Sequence, residues 1–530
     1  MGDRVAGRDE EKPGNASALR GFLLVDFTFK NACLAVLEEI YMVIVIGGGA
    51  SGLGLAWDLL LRSIPVMVVE MGDIGSGTSG RFHGLLHSGG RYVVSDVQAA
   101  RECWEENRIL KRVAGAAIKA TGGYFLSVDD EGDAYVQDWV KGAEAIGLPV
   151  KEVAVGQIRE TVENLGPWVR RGFSVPDGVL EGFTLLHLLR LNIENLGGEI
   201  LTHTTVTDIR HENGRVVGVE VMDKDGPRVI ACDAVVNAAG PYAGEVARLF
   251  HDGIAMQLSR GTMLIFANRR VPYVINRLAP PGDGDIIVPH GETAILGTTD
   301  VLQEDPGSTR ATREEAQYLM QLGQRLFADM DRWRVLRAFT GVRPLYQDGQ
   351  EIRDSRYISR DFTVIDHGQR RGLVGAFSLV GGKWTTYRLM AEHMADAVAA
   401  YLKVKRSSRT AEVPLQTAVE MDLRPGPTIC ECERVSLGQL ARWPCASLTE
   451  WRTRSWFAMG PCQGTMCGHR GALLAMAVQT PSTALRELSQ LRHERERGWW
   501  PTTWGDNARQ WALGQALRHQ TLAEEAWSDE

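Results

Sequence analysis

A short apolar run over residues 42–46 ends directly in Gly47-x-Gly49-x-x-Gly52, and a small-residue, then amphipathic stretch follows over 50–62. No other segment restricts the fold of this chain so tightly. An unbroken apolar run of that length reads as a strand buried on both faces. Glycines at this spacing permit a tight turn and let backbone N–H groups approach a pyrophosphate at a helix N-terminus. Residues 65–70 (PVMVVE) read as a second strand, which completes a strand–helix–strand unit. Glu70 closes that strand, where a carboxylate accepts from an adenosine ribose hydroxyl. A glycine motif alone is weak evidence. Flanked by both strands and the acidic residue, it predicts dinucleotide binding through Gly47, Gly49, Gly52 and Glu70.

NAD and FAD both satisfy that unit, and two further features favour FAD. The loop 75–81 (GSGTSGR), with Thr78 and Ser79, is glycine- and hydroxyl-rich and suits a long cofactor. Gly381-Gly382-Lys383 then precedes a helical pattern whose N-terminus suits a flavin pyrimidine. Between these segments the pattern predicts a helix over 99–116, a hairpin within 199–221 turning at Asn213-Gly214, and a buried strand over 233–240 ending at Gly240. Strands mixed with loops follow over 261–295, then a helix over 311–330, and strands before a long helix from Trp384. Such interleaving predicts an α/β fold over 42–404, with a nucleotide-binding domain carrying a sheet-rich second domain. Residues 405–427 read as a linker, 428–480 as a small, mainly α cysteine module, and 481–530 as a tryptophan-rich tail. Residues 1–41 read as an extension outside the fold.

At 530 residues the chain exceeds a single core. Its 44% hydrophobic and 23% charged content is that of a globular protein, and a net charge of −8 leaves no electrostatic footprint for nucleic acid. No segment reaches the roughly 18 uninterrupted apolar residues of a membrane helix, since 21–41 is broken by Asp26, Lys30, Glu38 and Glu39. Of eight cysteines, Cys33, Cys103, Cys232 and Cys445 are scattered and read as buried thiols. Cys430-x-Cys432 and Cys462-x4-Cys467 are clustered, which favours a metal over disulfides and implies a reducing compartment. Four thiolates satisfy either zinc or a 2Fe–2S cluster, and the absence of Cys-x-x-Cys knuckles tilts the choice to iron–sulfur.

IGGGASGLG, SGRFHGLLHSGGRYVVSD, NAAGPYAGEVA, TGVRPL and GGKWTTYRLMAE resemble the FAD-dependent glycerol-3-phosphate dehydrogenases. The CECE and PCQGTMC segments resemble the large subunit of the anaerobic, quinone-linked form, with its bacterioferritin-associated-ferredoxin-like 2Fe–2S module. The resemblance implies a glutathione-reductase-type FAD domain, a substrate domain over the flavin, and Cys430, Cys432, Cys462 and Cys467 as cluster ligands. Arg343, Arg360 and Lys383 match the family's substrate-side cations, which suit a phosphate dianion. His87, Arg91 and Tyr92 match its flavin-proximal loop, and the resemblance implies His87 and Arg343 as catalytic residues and Arg91 and Tyr92 as further substrate-binding ones. His87 is the candidate general base, with water held by the arginines as the alternative; His83 and Arg81 read as loop-holding residues. The implied reaction oxidises glycerol 3-phosphate to dihydroxyacetone phosphate. Electrons then pass to membrane-associated partner subunits and a quinone, with this chain cytoplasmic and peripheral on the inner face of the cell membrane. The rival is a related FAD enzyme whose cations clamp the carboxylate of a 2-hydroxy acid or amino acid, with the cysteine module as a docking or redox-sensing element.

Overall fold

The computed structural model describes residues 41–346, 361–417, 426–441 and 447–522. Strand β1 (Val43–Ile46) leads through the glycines into α1 (Ala50–Leu61), and β2 (Val66–Val69) returns beside it. β1 is paired along both edges, Val45 lying opposite Val236 and Val68, and the side chains on both of its faces are buried. That explains an apolar run without alternation. Val43 and Val45 enter a core with α1 and the helices Gly182–Asn195 and Tyr387–Tyr401. Ile44 and Ile46 enter a second core with Val219 and Val221 of a three-stranded antiparallel sheet. The layers are therefore helices, parallel sheet and antiparallel sheet.

The central sheet runs Phe362–Asp366, Ala376–Gly381, Ala234–Asn237, β1, β2, Glu199–Leu201. All pairs are parallel except the outermost, between Phe362–Asp366 and Ala376–Gly381. The expected hairpin joins Thr205–Glu212 to Arg215–Asp223, with positive φ at Asn213 (49°) and Gly214 (75°) as a type I′ turn requires. The helix expected over 311–330 is Arg313–Gly323, opened by a Thr312–Glu315 capping box. Beyond Gly323 the chain folds back, and Phe327 and Met330 enter the core of the second domain.

That second domain is built on a nine-stranded, mostly antiparallel sheet. Its longest pairing sets Met256–Ala267 against Val335–Tyr346, with Ser259 opposite Arg343. Part of the expected linker is packed, not loose: Leu415 lies in the α1 core and Ser408 Oγ donates to Asp58 of α1. In the cysteine module, the strands Thr428–Cys430 and Val435–Ser436 precede the helices Leu448–Ser455 and Cys467–Ala475. The helix Pro481–Trp499, in the segment read as a tail, supplies Ala484, Leu488 and Leu491 to the module's core. At its far end Gly498 meets Ala338 of the second domain's long strand, where a Cβ would sit 2.5 Å from the carbonyl oxygen. Among the described residues no helix is long and apolar enough to cross a membrane.

Candidate active site

The glycine turn has no room for side chains. Gly47 has φ +118°, and a Cβ there would lie 2.6 Å from Ala238 O; one on Gly52 would lie 1.9 Å from Gly47 O. The first turn of α1 carries no acidic residue, so its positive end is left for an anion. Ser79 Oγ accepts from Ala50 N–H at 2.9 Å, and Thr78 Oγ1 donates to Val342 O at 2.6 Å. Glu70 Oε2 accepts from Gly48 N–H at 2.7 Å and Oε1 from Gly72 N–H at 2.8 Å, which fixes the carboxylate at the mouth of the turn. The cleft, ≈ 330 Å³, is lined by Gly47, Gly49, Glu70, Thr78, Ser79 and Gly240, and at its other end by Gly381, Gly382 and Lys383. A cradle too tight for a Cβ, a helix N-terminus without acidic residues and a carboxylate at one end fit an extended dinucleotide such as FAD.

Both walls of the cleft are tied together. Phe82 stacks on Trp384 at 5.1 Å, Trp384 Nε1 donates to Ser79 O at 3.0 Å, and His87 N–H donates to Thr385 Oγ1 at 3.2 Å. Val342 and Pro344 line the cleft, while Arg343 between them points to the opposite face of its strand. There its Nη1 donates to Ser259 Oγ at 2.9 Å and its Nη2 to Thr299 O at 3.1 Å and to Thr298 Oγ1, with Asp300 3.9 Å away. Arg91 donates to Gly282 O at 2.7 Å and approaches Asp285 at 3.3 Å.

His83 lies at the centre of these groups. Burial, then the guanidinium groups of Arg343 and Arg91, push its pKa down to about 3. Its Nδ1 accepts from Leu85 N–H at 3.1 Å, which leaves the proton of the neutral ring on Nε2. The ring is 5.9 Å from His87, His87 is 5.6 Å from Tyr92, and Lys383 Nζ stands 5.6 Å from the centre of the Tyr92 ring. Arg343, Arg91, His87, Tyr92 and Lys383 thus assemble around His83, and Lys383 joins this cluster to the cleft. In the sequence His83 carries no signal of that position beyond lying four residues before His87. Arg360 lies outside the described residues.

The four clustered cysteines also meet. Cys467, at the start of its helix, hydrogen-bonds with Cys430 and Cys462, and Cys462 with Cys432. Those bonds from Cys467 lower the pKa of Cys430 and Cys462 and raise that of Cys467; burial raises that of Cys432. The donor set is chemically that of a tetrathiolate centre. No group of three or more His, Cys, Asp or Glu among the described residues stands in metal-holding geometry. Cys103 and Cys232 are buried free thiols, whereas Cys33 and Cys445 lie outside the described residues.

A glycine-cradled dinucleotide cleft, with cations and histidines gathered beside it, defines a dinucleotide-dependent redox enzyme. Residues 42–397 match the FAD dependent oxidoreductase family. The chain is 37% identical to the A1 component of the anaerobic glycerol-3-phosphate dehydrogenase of Haloferax volcanii, over 91% of this chain and 90% of that protein. It is 34% identical to the A component of the anaerobic glycerol-3-phosphate dehydrogenase of Escherichia coli, over 88% of this chain and 94% of that protein. In fold it is similar to the glycerol-3-phosphate dehydrogenase of Bacillus halodurans complexed with FAD, with a TM-score of 0.60 and 20% identity over 87% of this chain and 95% of that one. The chain belongs to the FAD dependent oxidoreductase family, in the group that holds these anaerobic glycerol-3-phosphate dehydrogenase components.

Proposed function

We propose that this chain oxidises sn-glycerol 3-phosphate to dihydroxyacetone phosphate. The observation that carries the reading is the gathering of Arg343, Arg91 and Lys383 with two histidines beside the dinucleotide cleft; the names of the relatives supply the substrate. FAD, when bound, supplies the acceptor for the hydride leaving the carbinol carbon. Gly47, Gly49, Gly52, Glu70, Thr78, Ser79, Gly240, Gly381 and Gly382 would hold it. Arg343, Arg91 and Lys383 bind the phosphate dianion through charge-assisted hydrogen bonds, with Arg360 joining them on the resemblance alone. Tyr92 positions the Lys383 ammonium. His87 takes the hydroxyl proton, and His83, kept neutral, adds no charge to repel the cations.

Cys430, Cys432, Cys462 and Cys467 would hold a 2Fe–2S cluster, which supplies one-electron transfer towards partner subunits and a membrane quinone; zinc is the alternative occupant. The relatives are themselves named as subunits, which supports further chains. The reading puts the protein on the inner, cytoplasmic face of the cell membrane, held there by those partners. Anaerobic titration of the purified flavoprotein with sn-glycerol 3-phosphate tests the substrate. Bleaching of the flavin absorbance at about one equivalent is expected, whereas bleaching by 2-hydroxyglutarate or glycine in its place overturns the assignment.

A further inference from the structure

A second cavity, ≈ 370 Å³, lies where the loop 75–84, the sheet of the second domain and the cysteine module meet. Four arginines from four different segments line it: Arg81 from the loop, Arg337 from Val335–Tyr346, Arg452 from Leu448–Ser455 and Arg495 from Pro481–Trp499. Arg337 is 7% exposed and Arg495 3%. Buried Nε atoms of Arg337 and Arg452, and both Nε and Nη2 of Arg495, have no hydrogen-bond partner among the described residues.

Three carboxylates share the cavity. Glu494 faces all four arginines, at 3.5 Å from Arg337 Nη2, and they hold its pKa down to about 2 against the opposing effect of burial. Asp73 is engaged by Thr453 Oγ1 at 3.4 Å and by Arg454 at 3.8 Å. Glu433 is the third carboxylate, so four guanidinium groups share the cavity with three carboxylates, one of which is also engaged by Arg454. An arginine does not shed its proton, and a buried charge without a partner is strongly disfavoured. The cavity therefore holds cationic charge in excess of what its carboxylates offset, together with several aligned donors.

We propose that this cavity is a binding site for a phosphate-class oxyanion, either inorganic phosphate or the phosphate group of an ester. Planar guanidinium forks match tetrahedral oxyanion oxygens two at a time, and three separate walls present them. The cavity adjoins the dinucleotide cleft, sharing Ser79 and Arg81 with it, but Arg343, Arg91, His87, Tyr92 and Lys383 are not among its lining residues.

The test is calorimetric titration of the flavin- and metal-loaded full chain, in an Arg343→Gln background that weakens phosphate binding beside the cleft. Inorganic phosphate and sn-glycerol 3-phosphate are titrated separately against chloride of matched ionic strength. One phosphate per chain is expected, weakened at least tenfold by Arg452→Gln with Arg495→Gln and tightened severalfold by Glu494→Gln. Binding of the ester with the same variant dependence assigns the site to phosphate esters; binding of the inorganic ion alone assigns it to free phosphate. Heat indistinguishable from the chloride control, or equal affinity in the double variant, overturns the proposal. If the double variant fails to fold, the Glu494→Gln chain decides, since unchanged affinity there overturns it as well.

Discussion

Arg343 shows why a charge alone does not define this site. Its guanidinium is held by Ser259, Thr298 and Thr299, so its planar fork is set before any substrate arrives. Lysine keeps the charge but cannot engage Ser259, Thr298 and Thr299 together, so its position is not fixed in the same way. With a charged hydrogen bond contributing about 1.5–3 kcal/mol, Arg343→Lys should lower kcat/KM roughly 100-fold at unchanged flavin absorbance, read by steady-state dye reduction. His83 is a different kind of residue, one that must stay uncharged. Its folded pKa of about 3 lies below the ordinary 6.5, so below about pH 6.5 the unfolded chain binds the proton and the folded chain does not. Its contribution to stability is complete above that pH and is lost as pH falls towards about 3. His187 acts in the same direction, so His83→Gln should flatten, not abolish, the acid-side fall of Tm. A Tm profile as steep as that of the parent chain would contradict the neutral ring. Sequence alone ranked His87 above His83 because the approach of His83 to Arg343 depends on two segments distant in the chain.

At the scale of elements, the strand–helix–strand unit is the most exacting part of the molecule. A methyl group on Gly52 would lie 1.9 Å from the Gly47 carbonyl oxygen, and both partners are backbone, so neither rotates away. Gly52→Ala should therefore leave a chain that retains about tenfold less flavin, measured as the ratio of absorbance at the flavin band to that of the protein. This unit was legible in the sequence because its signals are local: an apolar run, glycines at fixed spacing and an acidic strand end. The hairpin at Asn213-Gly214 was legible for the same reason. Helix Arg313–Gly323 was overextended, since Leu326, Phe327 and Met330 continue an apolar pattern while the backbone folds back beneath them. Pairing of Met256–Ala267 with Val335–Tyr346 left no such trace. Register between distant strands follows from packing across the sheet, which a single sequence does not display.

The molecule as a whole joins an oxidoreductase body to a thiol-bearing module, and the helix Pro481–Trp499 belongs to both. Its Leu488 and Leu491 fill the module's core while its C-terminal end lies on the strand that carries Arg337 and Arg343. Reading 481–530 as a tail missed this, because the tryptophan-rich stretch after Arg497 obscured the apolar spacing before it. The module's fold rests on Phe457, Leu448 and Leu488 as well as on its cysteines, so one sulfur can be replaced without emptying the core. Cys462 hydrogen-bonds with both Cys432 and Cys467, which makes it the most informative of the four to change. Cys462→Ser should leave flavin content and substrate-dependent bleaching unchanged, since the cleft and the His83 cluster lie in the body. On the cluster and acceptor proposed above, it should lower bound iron and the low-temperature EPR signal of the reduced protein at least tenfold, and abolish quinone reduction by the chain together with its proposed partners. Retained iron would remove Cys462 from the ligand set. Lost iron with undiminished quinone reduction would make the module a docking element, and the electrons would then leave the flavin without passing through it.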